Sequence, residues 1–389
     1  MSRGHTVKGV AGHDNVPRES ADKSARDTDP AGSFEEINEW LLTLVDEHIA
    51  RIEGEEARQK FLDAIKERLP KMFCDTAGHI VESLFESAPA LLAECRALDA
   101  SHAAEIEESW GEALGIYRML WVSCHETVGA LSARHFNVKG YEPPAMVHAQ
   151  VGLQARACRV GVEVLELLRA GLGAGALGRA RTLQEIATIS TVLAEHGALD
   201  GAHPDLAGRY LQHANVVSWM DAVEYQEVAP RLGHEPLTND EMAELQAPRD
   251  AAVAAYGEAF GKPNGWAACL TSNQKAPRFK DLEVLARADH MRAHYSWASH
   301  EVHADAKSWI MNHETDGHLT FRNTGPSPRG MADAAQLALM SLVQVTENTL
   351  STVPGADDRV TDLIVIEVLH ELLDRAWTAF SSADDAMKG

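Results

Sequence analysis

The sequence predicts an all-α protein, a multi-helix bundle with a disordered N-terminal tail. Apolar residues recur three or four positions apart over long stretches, which is the period of a helix packed on one side. Alternating polar and apolar runs, typical of strands, are nearly absent. Clusters of glycine and proline interrupt the periodic stretches, so we expect several helices joined by loops.

Order is expected to begin at Ser33. Residues 1–32 are rich in Gly, Asp, Ser and Arg and carry few large apolar groups. Such a segment cannot bury enough surface to offset the entropy lost on ordering, so we predict a disordered tail over 1–32. Ser33, followed three residues later by Glu36, has the capping-box pattern of a helix start.

The body of the chain is predicted to divide near residue 140. Gly140 and the pair Pro143-Pro144 break the helical pattern there. We therefore expect an N-terminal helical region over 33–140 and a helical bundle domain over 141–389. The apolar stripe before the break consists of Leu114, Tyr117, Leu120, Cys124, Val128 and Leu131. The stripe after it consists of Val151, Ala155, Cys158, Val162, Leu165 and Leu168.

In the rest of the bundle domain, the sequence predicts mainly helices. Four of them are expected over 176–195, 204–229, 239–260 and 281–307. Thr238 and Glu241 form a second capping-box pattern. Glycine and proline predict a loop over 310–331, with a short extended piece at 319–321. The closing helices are expected over about 332–352 and 358–381.

The charge of the chain limits its partners. The formal net charge is −23, and such acidity repels polyanions, so extended nucleic acid and anionic membranes are disfavoured. The stretch 275–292 is locally basic, which leaves a local phosphate or RNA contact open, although a solvated charged face is the simpler interpretation. A protein partner or a homo-oligomer is therefore expected.

The sequence also predicts where the protein is located in the cell and whether its cysteines are free. No secretory signal and no run of about 18 apolar residues occurs, so no membrane association and a cytoplasmic location are expected. The cysteine count is odd and no CxxC pair is present, which argues against a disulfide framework. Since each lies among apolar residues, we predict buried free thiols at Cys74, Cys95, Cys124, Cys158 and Cys269.

The stretch Asp289–Lys307 is the strongest candidate for chemistry, since it holds four of the 19 histidines. On a continuous helix, Arg292, Ser299 and His303 would share one face, with His300 at its edge. Histidine moves protons near neutral pH, and arginine holds phosphate with forked hydrogen bonds. The candidate site residues here are Arg292, Tyr295, Ser299, His300 and His303. A buried polar seam that only holds helices together is the competing interpretation, and it predicts that His303→Ala costs roughly 1–3 kcal/mol of stability.

Arg181 and Glu185 form a second candidate group, one helical turn apart. A pair at this spacing is usually a surface ion pair worth a few tenths of a kcal/mol. Within a bundle, the pair can instead point at the polar face of 289–307, so both residues are included as candidates.

No metal and no cofactor are expected. His290 and His294 lie one turn apart and could share an ion, but Glu301 is roughly 10 Å farther along a straight helix. The sequence also lacks the glycine-rich nucleotide loops, the HExxH zinc motif and the GxSxG nucleophile motif. Nucleotide hydrolases, Rossmann oxidoreductases and α/β-hydrolases are therefore excluded.

Several short pieces, in their order and spacing, carry a resemblance to a known family. They lie at residues 157–171, 181–185, 209–213 and 295–304, with a Gly-Pro-Ser turn at 325–327. Because of these pieces, the region from His148 to about Gly330 resembles a bacterial family of uncharacterised helical proteins, domain-of-unknown-function family 5677. The sequence departs from the family at Gln184, where the family often has His, and at Glu301 and Asp305, where it often has Asn. The resemblance implies an all-α fold and no particular reaction.

Two functions remain open at this point. The first is a non-catalytic scaffold or interaction module. The alternative is a metal-independent ribonuclease or toxin similar to HEPN-type helical ribonucleases, whose signature is an Arg followed after four to six residues by His. Arg287 and His294 have this spacing. In such an enzyme, His300 or His303 would transfer the proton, Arg292 or Arg287 would stabilise the phosphorane, and Tyr295 or Ser299 would position the substrate.

Overall fold

The computed structural model describes residues 43, 47, 49–303, 306–307, 313–316, 319–322, 324–353 and 359–388. The predicted tail over 1–32 and the capping box at Ser33 lie outside these residues. The chain divides into two compact units, Met1–Ala93 and Glu94–Gly389.

The described residues are mainly helical, so the predicted all-α class is confirmed. The α-helices are α1 (Glu55–Phe136), α2 (Ala145–Arg169), α3 (Gly173–His196), α4 (Leu206–Leu232), α5 (Asn239–Tyr256), α6 (Phe279–Leu285), α7 (Arg292–His300), α8 (Met331–Thr352) and α9 (Arg359–Lys388). Short 3-10 helices occur at Glu258–Gly261, Gly265–Leu270 and Asp289–Met291. The strands β1 (His313–Asp316) and β2 (Leu319–Arg322) form an antiparallel hairpin, with His313 opposite Arg322. The extended piece expected at 319–321 is part of β2.

The core of the second unit is built on α2, α3 and α8, which pack against one another. The stripe predicted in the C-terminal part of α1 is confirmed, since all six of its residues are buried. The stripe predicted in α2 is partly wrong, because Ala155 is exposed and Val162 is only half-buried. Gln150 and Gln154 are buried instead. A single stripe fails here because α2 has helices on several sides and buries a broad face.

Buried polar groups tie α2 to its neighbours. The Tyr117 hydroxyl donates to the Gly161 carbonyl at 2.9 Å, and the Gln154 amide donates to the Cys124 carbonyl at 3.1 Å. Hydrogen bonds of this kind offset the cost of taking polar groups out of water. They fix how α1 and α2 lie side by side within the second unit.

The second compact unit begins at Glu94, well before the division expected near residue 140. The helical pattern does break where predicted, since α1 ends at Phe136 and α2 begins at Ala145. The C-terminal part of α1, from Ile106 to Leu131, nevertheless buries its side chains in the same core as α2. A break in the helix is therefore a turn within one core.

The turn between α2 and α3 lies against the loop before α8. Gly171 adopts a left-handed φ of 68°, and the amide of Leu172 donates back to the Leu167 carbonyl at 2.8 Å, which closes α2 with a Schellman-type turn. The Ser327 amide then donates to the Gly171 carbonyl at 2.7 Å. This contact brings the loop before α8 against the start of α3.

The expectation of five buried thiols is only partly correct. Cys124 and Cys158 are buried, and burial raises the pKa of each thiol to about 12. Cys269 is half-buried, while Cys74 and Cys95 are exposed. The prediction failed at Cys74 and Cys95 because apolar neighbours in sequence do not bury a residue when their helix face has no packing partner.

The capping box at Thr238 is confirmed. Its hydroxyl accepts from the Glu241 amide at 3.3 Å, and the Glu241 carboxylate accepts from the Thr238 amide at 2.8 Å. These two bonds satisfy backbone amides at the start of α5. The Thr238 amide and the Thr238 hydroxyl both donate to the Glu241 carboxylate, and these two bonds lower the pKa of Glu241.

Candidate functional site

Tyr295 lies at the centre of the polar cluster between α3 and α7. Its hydroxyl accepts a hydrogen bond from Arg181 at 2.6 Å and donates one to Glu185 at 2.9 Å. Arg181 and Glu185 also pair directly, at 3.2 Å. The Arg181 side chain is only 17% exposed, so the pair is not the surface bridge that its spacing suggested. Through the Tyr295 hydroxyl, the pair links α3 to α7.

The ring of Tyr295 also lies against charged and aromatic side chains. The guanidinium carbons of Arg181 and Arg292 lie 4.5 and 4.9 Å from the ring centroid, and Phe279 stacks on the ring at 5.0 Å. Cations near an aromatic face are attracted by its quadrupole. Burial raises the pKa of Tyr295, and the Glu185 carboxylate adds to this effect while Arg181 opposes it. The phenol therefore keeps its proton and remains a donor to Glu185.

Arg292 is anchored by a buried acid. One of its guanidinium nitrogens donates to the Glu283 carboxylate at 2.7 Å. The Glu283 side chain is 1% exposed, while that of Arg292 is 45% exposed. The pair connects α6 to α7 and holds the guanidinium beside Tyr295.

The single helix predicted over 281–307 is wrong. The chain instead forms α6, a 3-10 turn and α7, which ends at His300. Arg287 adopts a left-handed φ of 53°, and the Ala288 amide bonds back to the Glu283 carbonyl at 2.8 Å, which ends α6. Because α7 ends before His303, the helical face proposed for Arg292, Ser299 and His303 does not extend to His303.

The predicted site residues therefore fall into two groups. Arg181, Glu185, Arg292 and Tyr295 come together in the cluster. The Ser299 hydroxyl is used locally, since it donates to the Tyr295 carbonyl at 2.7 Å. His300 is half-buried at the end of α7, and His303 is exposed beyond it.

The exposure of His303 reverses the expected effect of its removal. A buried seam histidine was expected to cost roughly 1–3 kcal/mol on replacement by alanine. An exposed side chain away from such features changes stability by less than about 0.5 kcal/mol, so His303→Ala should leave the urea unfolding midpoint nearly unchanged. His213→Ala is the matched comparison, because His213 is buried and bonds the Lys262 carbonyl at 2.9 Å. A loss of stability in His303→Ala as large as that in His213→Ala would contradict this assignment.

Sequence reasoning missed Glu283, Phe279 and Gln184. Glu283 was counted as part of a solvated charged stretch, although its position one residue after the apolar Leu282 is compatible with burial. Gln184 is buried on α3 between Arg181 and Glu185 in sequence, and neither of its side-chain polar atoms has a hydrogen-bond partner among the described residues. The same is true of the Arg181 Nε and one oxygen of Glu283. Such atoms are where ordered water usually binds.

The described part of the chain contains no group of three His, Cys, Asp or Glu side chains that could hold a metal ion. Nor does any described helix have the length and apolar character needed to cross a membrane.

The comparisons with known proteins agree with the resemblance seen in the sequence. Residues 148–318 match the model of a family described as "Family of unknown function (DUF5677)". No curated protein and no solved structure matched the chain. The matched range runs from α2 to β1 and contains every residue of the Tyr295 cluster. Residues 148–318, which contain the candidate site, are therefore similar to this family of unknown function.

Proposed function

We propose that this protein is a non-catalytic scaffold or interaction module that binds a protein partner or a second copy of itself in the cytoplasm. The observation that carries the proposal is the double engagement of the Tyr295 hydroxyl, which bonds Arg181 and Glu185 at once. A general acid or a substrate-positioning group must present its polar atoms to a substrate. Here the polar atoms of Tyr295, Arg181 and Glu185 form hydrogen bonds with one another between α3 and α7.

The same logic applies to the other candidate catalytic groups. The Arg292 guanidinium neutralises Glu283, and the Ser299 hydroxyl is bonded to its own helix. Arg287 and His294, the pair with the ribonuclease-like spacing, are both exposed, and Arg287 lies 3.6 Å from the Glu195 carboxylate. Together these contacts support a cluster that sets the packing of α7 on α3.

The surface of the second unit supports a role in binding other proteins. On α9, Val360, Leu363 and Ile364 are exposed side by side and line a hollow of about 560 Å³. A larger groove, about 1140 Å³, lies between α1 and α9 and has small residues such as Gly115 and Ala379 in its walls. Contiguous apolar surface of this kind commonly marks an interaction site.

The proposed location is supported by the cysteines. The exposed free thiols of Cys74 and Cys95 fit a reducing compartment such as the cytoplasm.

Tyr295→Phe tests the proposal most directly, because it removes only the hydroxyl. We expect a loss of about 1 kcal/mol in the free energy of unfolding, since two hydrogen bonds disappear while the direct Arg181–Glu185 pair remains. Tyr225→Phe is the matched control: its hydroxyl makes one exposed bond of 3.2 Å, to the Glu235 carbonyl, and its loss should change stability little.

The companion measurement is cleavage of single-stranded and hairpin RNA by the purified chain in the presence of a chelator. We expect no cleavage by the wild type. Cleavage that disappears in His300→Ala or Tyr295→Phe, with stability kept at the wild-type value, would overturn the scaffold and establish the ribonuclease.

A further inference from the structure

The N-terminal part of α1 exposes an apolar stripe that no described residue covers. Phe73, Ile80, Leu84 and Leu91 are each between 41% and 58% exposed. At about 100° per residue, these four side chains fall within an arc of about 40° on one side of the helix. Apolar neighbours at residues 72, 81, 85 and 92 widen the stripe, and they too are exposed. The stripe is about 27 Å long at 1.5 Å per residue.

This stretch of helix is poorly suited to stand alone in water. Pro70 and Pro89 lie inside it, and each removes one backbone hydrogen bond of the helix. Most of the stability of a helix in a protein comes from packing of its apolar face, and here that face is uncovered among the described residues. A partner surface that covers this face would therefore stabilise the helix.

The charges of the stretch indicate what kind of partner this is. The only charged residues between 72 and 93 are Asp75, Glu82 and Glu86, all acidic. They lie on the opposite side of the helix, about 180–220° from Phe73. An anionic membrane or a nucleic acid is disfavoured, because amphipathic helices that bind such surfaces carry Lys and Arg beside the apolar face. The stripe itself is uncharged and suits another apolar helix.

The order of the apolar residues is nearly symmetric. Reflection about residue 82 places Phe73 on Leu91 and Ile80 on Leu84, and it places residue 72 on residue 92. Two copies of the helix that run antiparallel about a two-fold axis at residue 82 would therefore pair apolar with apolar at these positions, which extend from one end of the stripe to the other. The flanking residues at 81 and 85 would instead lie level with Ser83 and His79 of the second copy. A two-fold interface requires this kind of self-complementary surface. The acidic residues would face away from the partner on both copies.

We propose that the protein forms a dimer in which the stripe of residues 72–92 packs antiparallel against the same stripe of a second copy. This inference rests on the interaction role proposed above and names one partner and one surface for it. The dimer is independent of any chemistry at Tyr295, which lies in the second unit.

The first test is the mass of the full chain in solution, measured by light scattering and sedimentation at micromolar concentration. The wild type should have twice the mass of the 42.3 kDa chain. Ile80→Glu/Leu84→Glu places two carboxylates at the centre of the stripe and should yield the monomer. The matched control, His79→Glu/Ala93→Glu, adds two carboxylates to the opposite face and should remain a dimer. Circular dichroism should show equal helicity in the wild type and the control, and only a small loss in the monomeric variant, because the stripe is a small part of the helical residues.

The second test determines the orientation. In a background of Cys74→Ser and Cys95→Ser, Ala77→Cys/Ser87→Cys should form a disulfide between copies, because residue 77 meets residue 87 of the second copy. Ala77→Cys alone should not cross-link, whereas a parallel pair would place it against itself.

Three results would overturn the inference: a monomeric wild type, a dimer that survives Ile80→Glu/Leu84→Glu, or efficient cross-linking through Ala77→Cys alone. A monomeric wild type would leave the scaffold proposal to the RNA-cleavage measurement, so the two can fail separately.

Discussion

Replacement of Arg292 by alanine is expected to destabilise the second unit by about 2–3 kcal/mol. The substitution leaves the carboxylate of Glu283, 1% exposed, without its cation, and the loss of one partner of a buried pair typically costs about 3–5 kcal/mol. We expect a smaller loss than this because the Arg292 side chain is 45% exposed, so water can reach part of the space that the substitution leaves. The Tyr295 ring loses a neighbouring cation as well.

A double-mutant cycle measured by urea unfolding checks this prediction. Glu283→Gln/Arg292→Ala should be more stable than Arg292→Ala alone, because a neutral amide is cheaper to bury than an unpaired carboxylate. Arg292→Lys keeps the charge but not the planar guanidinium beside the Tyr295 ring, so its stability should fall between wild type and alanine. If Arg292→Ala unfolds at the same urea concentration as the wild type, the ion pair does not hold α7 in place.

Gly173→Ala is expected to destabilise the turn between α2 and α3. A Cβ at this position would overlap the carbonyl oxygen of Arg329 and crowd the amide of Met331, and neither backbone group can rotate away. Overpacking against a fixed neighbour typically costs about 1–3 kcal/mol. The loop before α8 would have to move off the start of α3.

Gly175→Ala is the matched control, two residues along the same helix. A Cβ there would meet only the Leu167 side chain, at 3.7 Å, which is ordinary contact. Since alanine is a better helix former, this variant should gain about 0.5–1 kcal/mol. Thermal unfolding of the two variants should therefore shift in opposite directions, and equal stability of both would contradict the close approach of the two turns.

Local patterns predicted most helices well. The helix expected over 176–195 is observed as α3, Gly173–His196, and that expected over 332–352 as α8, Met331–Thr352. The capping box at Thr238 was also correct. These features depend on neighbours within one or two turns, so the sequence contains the information needed to predict them.

The candidate site could be predicted only in part. The choice of Arg181, Glu185, Arg292 and Tyr295 came from residue types that carry chemistry, and the structure places all four in one cluster. The single helix expected over 281–307 failed at Arg287, which takes a left-handed conformation that residue preferences disfavour. The assumed helical face failed because α7 ends at His300, before His303. Glu283 could not be identified, since its burial depends on how α6 lies against α3.

By itself, the sequence determined an all-α chain, its principal helices and the residues worth testing. Hydrophobic periodicity, capping and helix breakers are short-range properties that act before any tertiary contact forms. Only the tertiary structure decided that Tyr295 bonds both Arg181 and Glu185, that Glu283 is buried, and that His303 is exposed. Residues 110 or more positions apart meet there, and which groups then satisfy one another depends on the packing angle and register of whole helices.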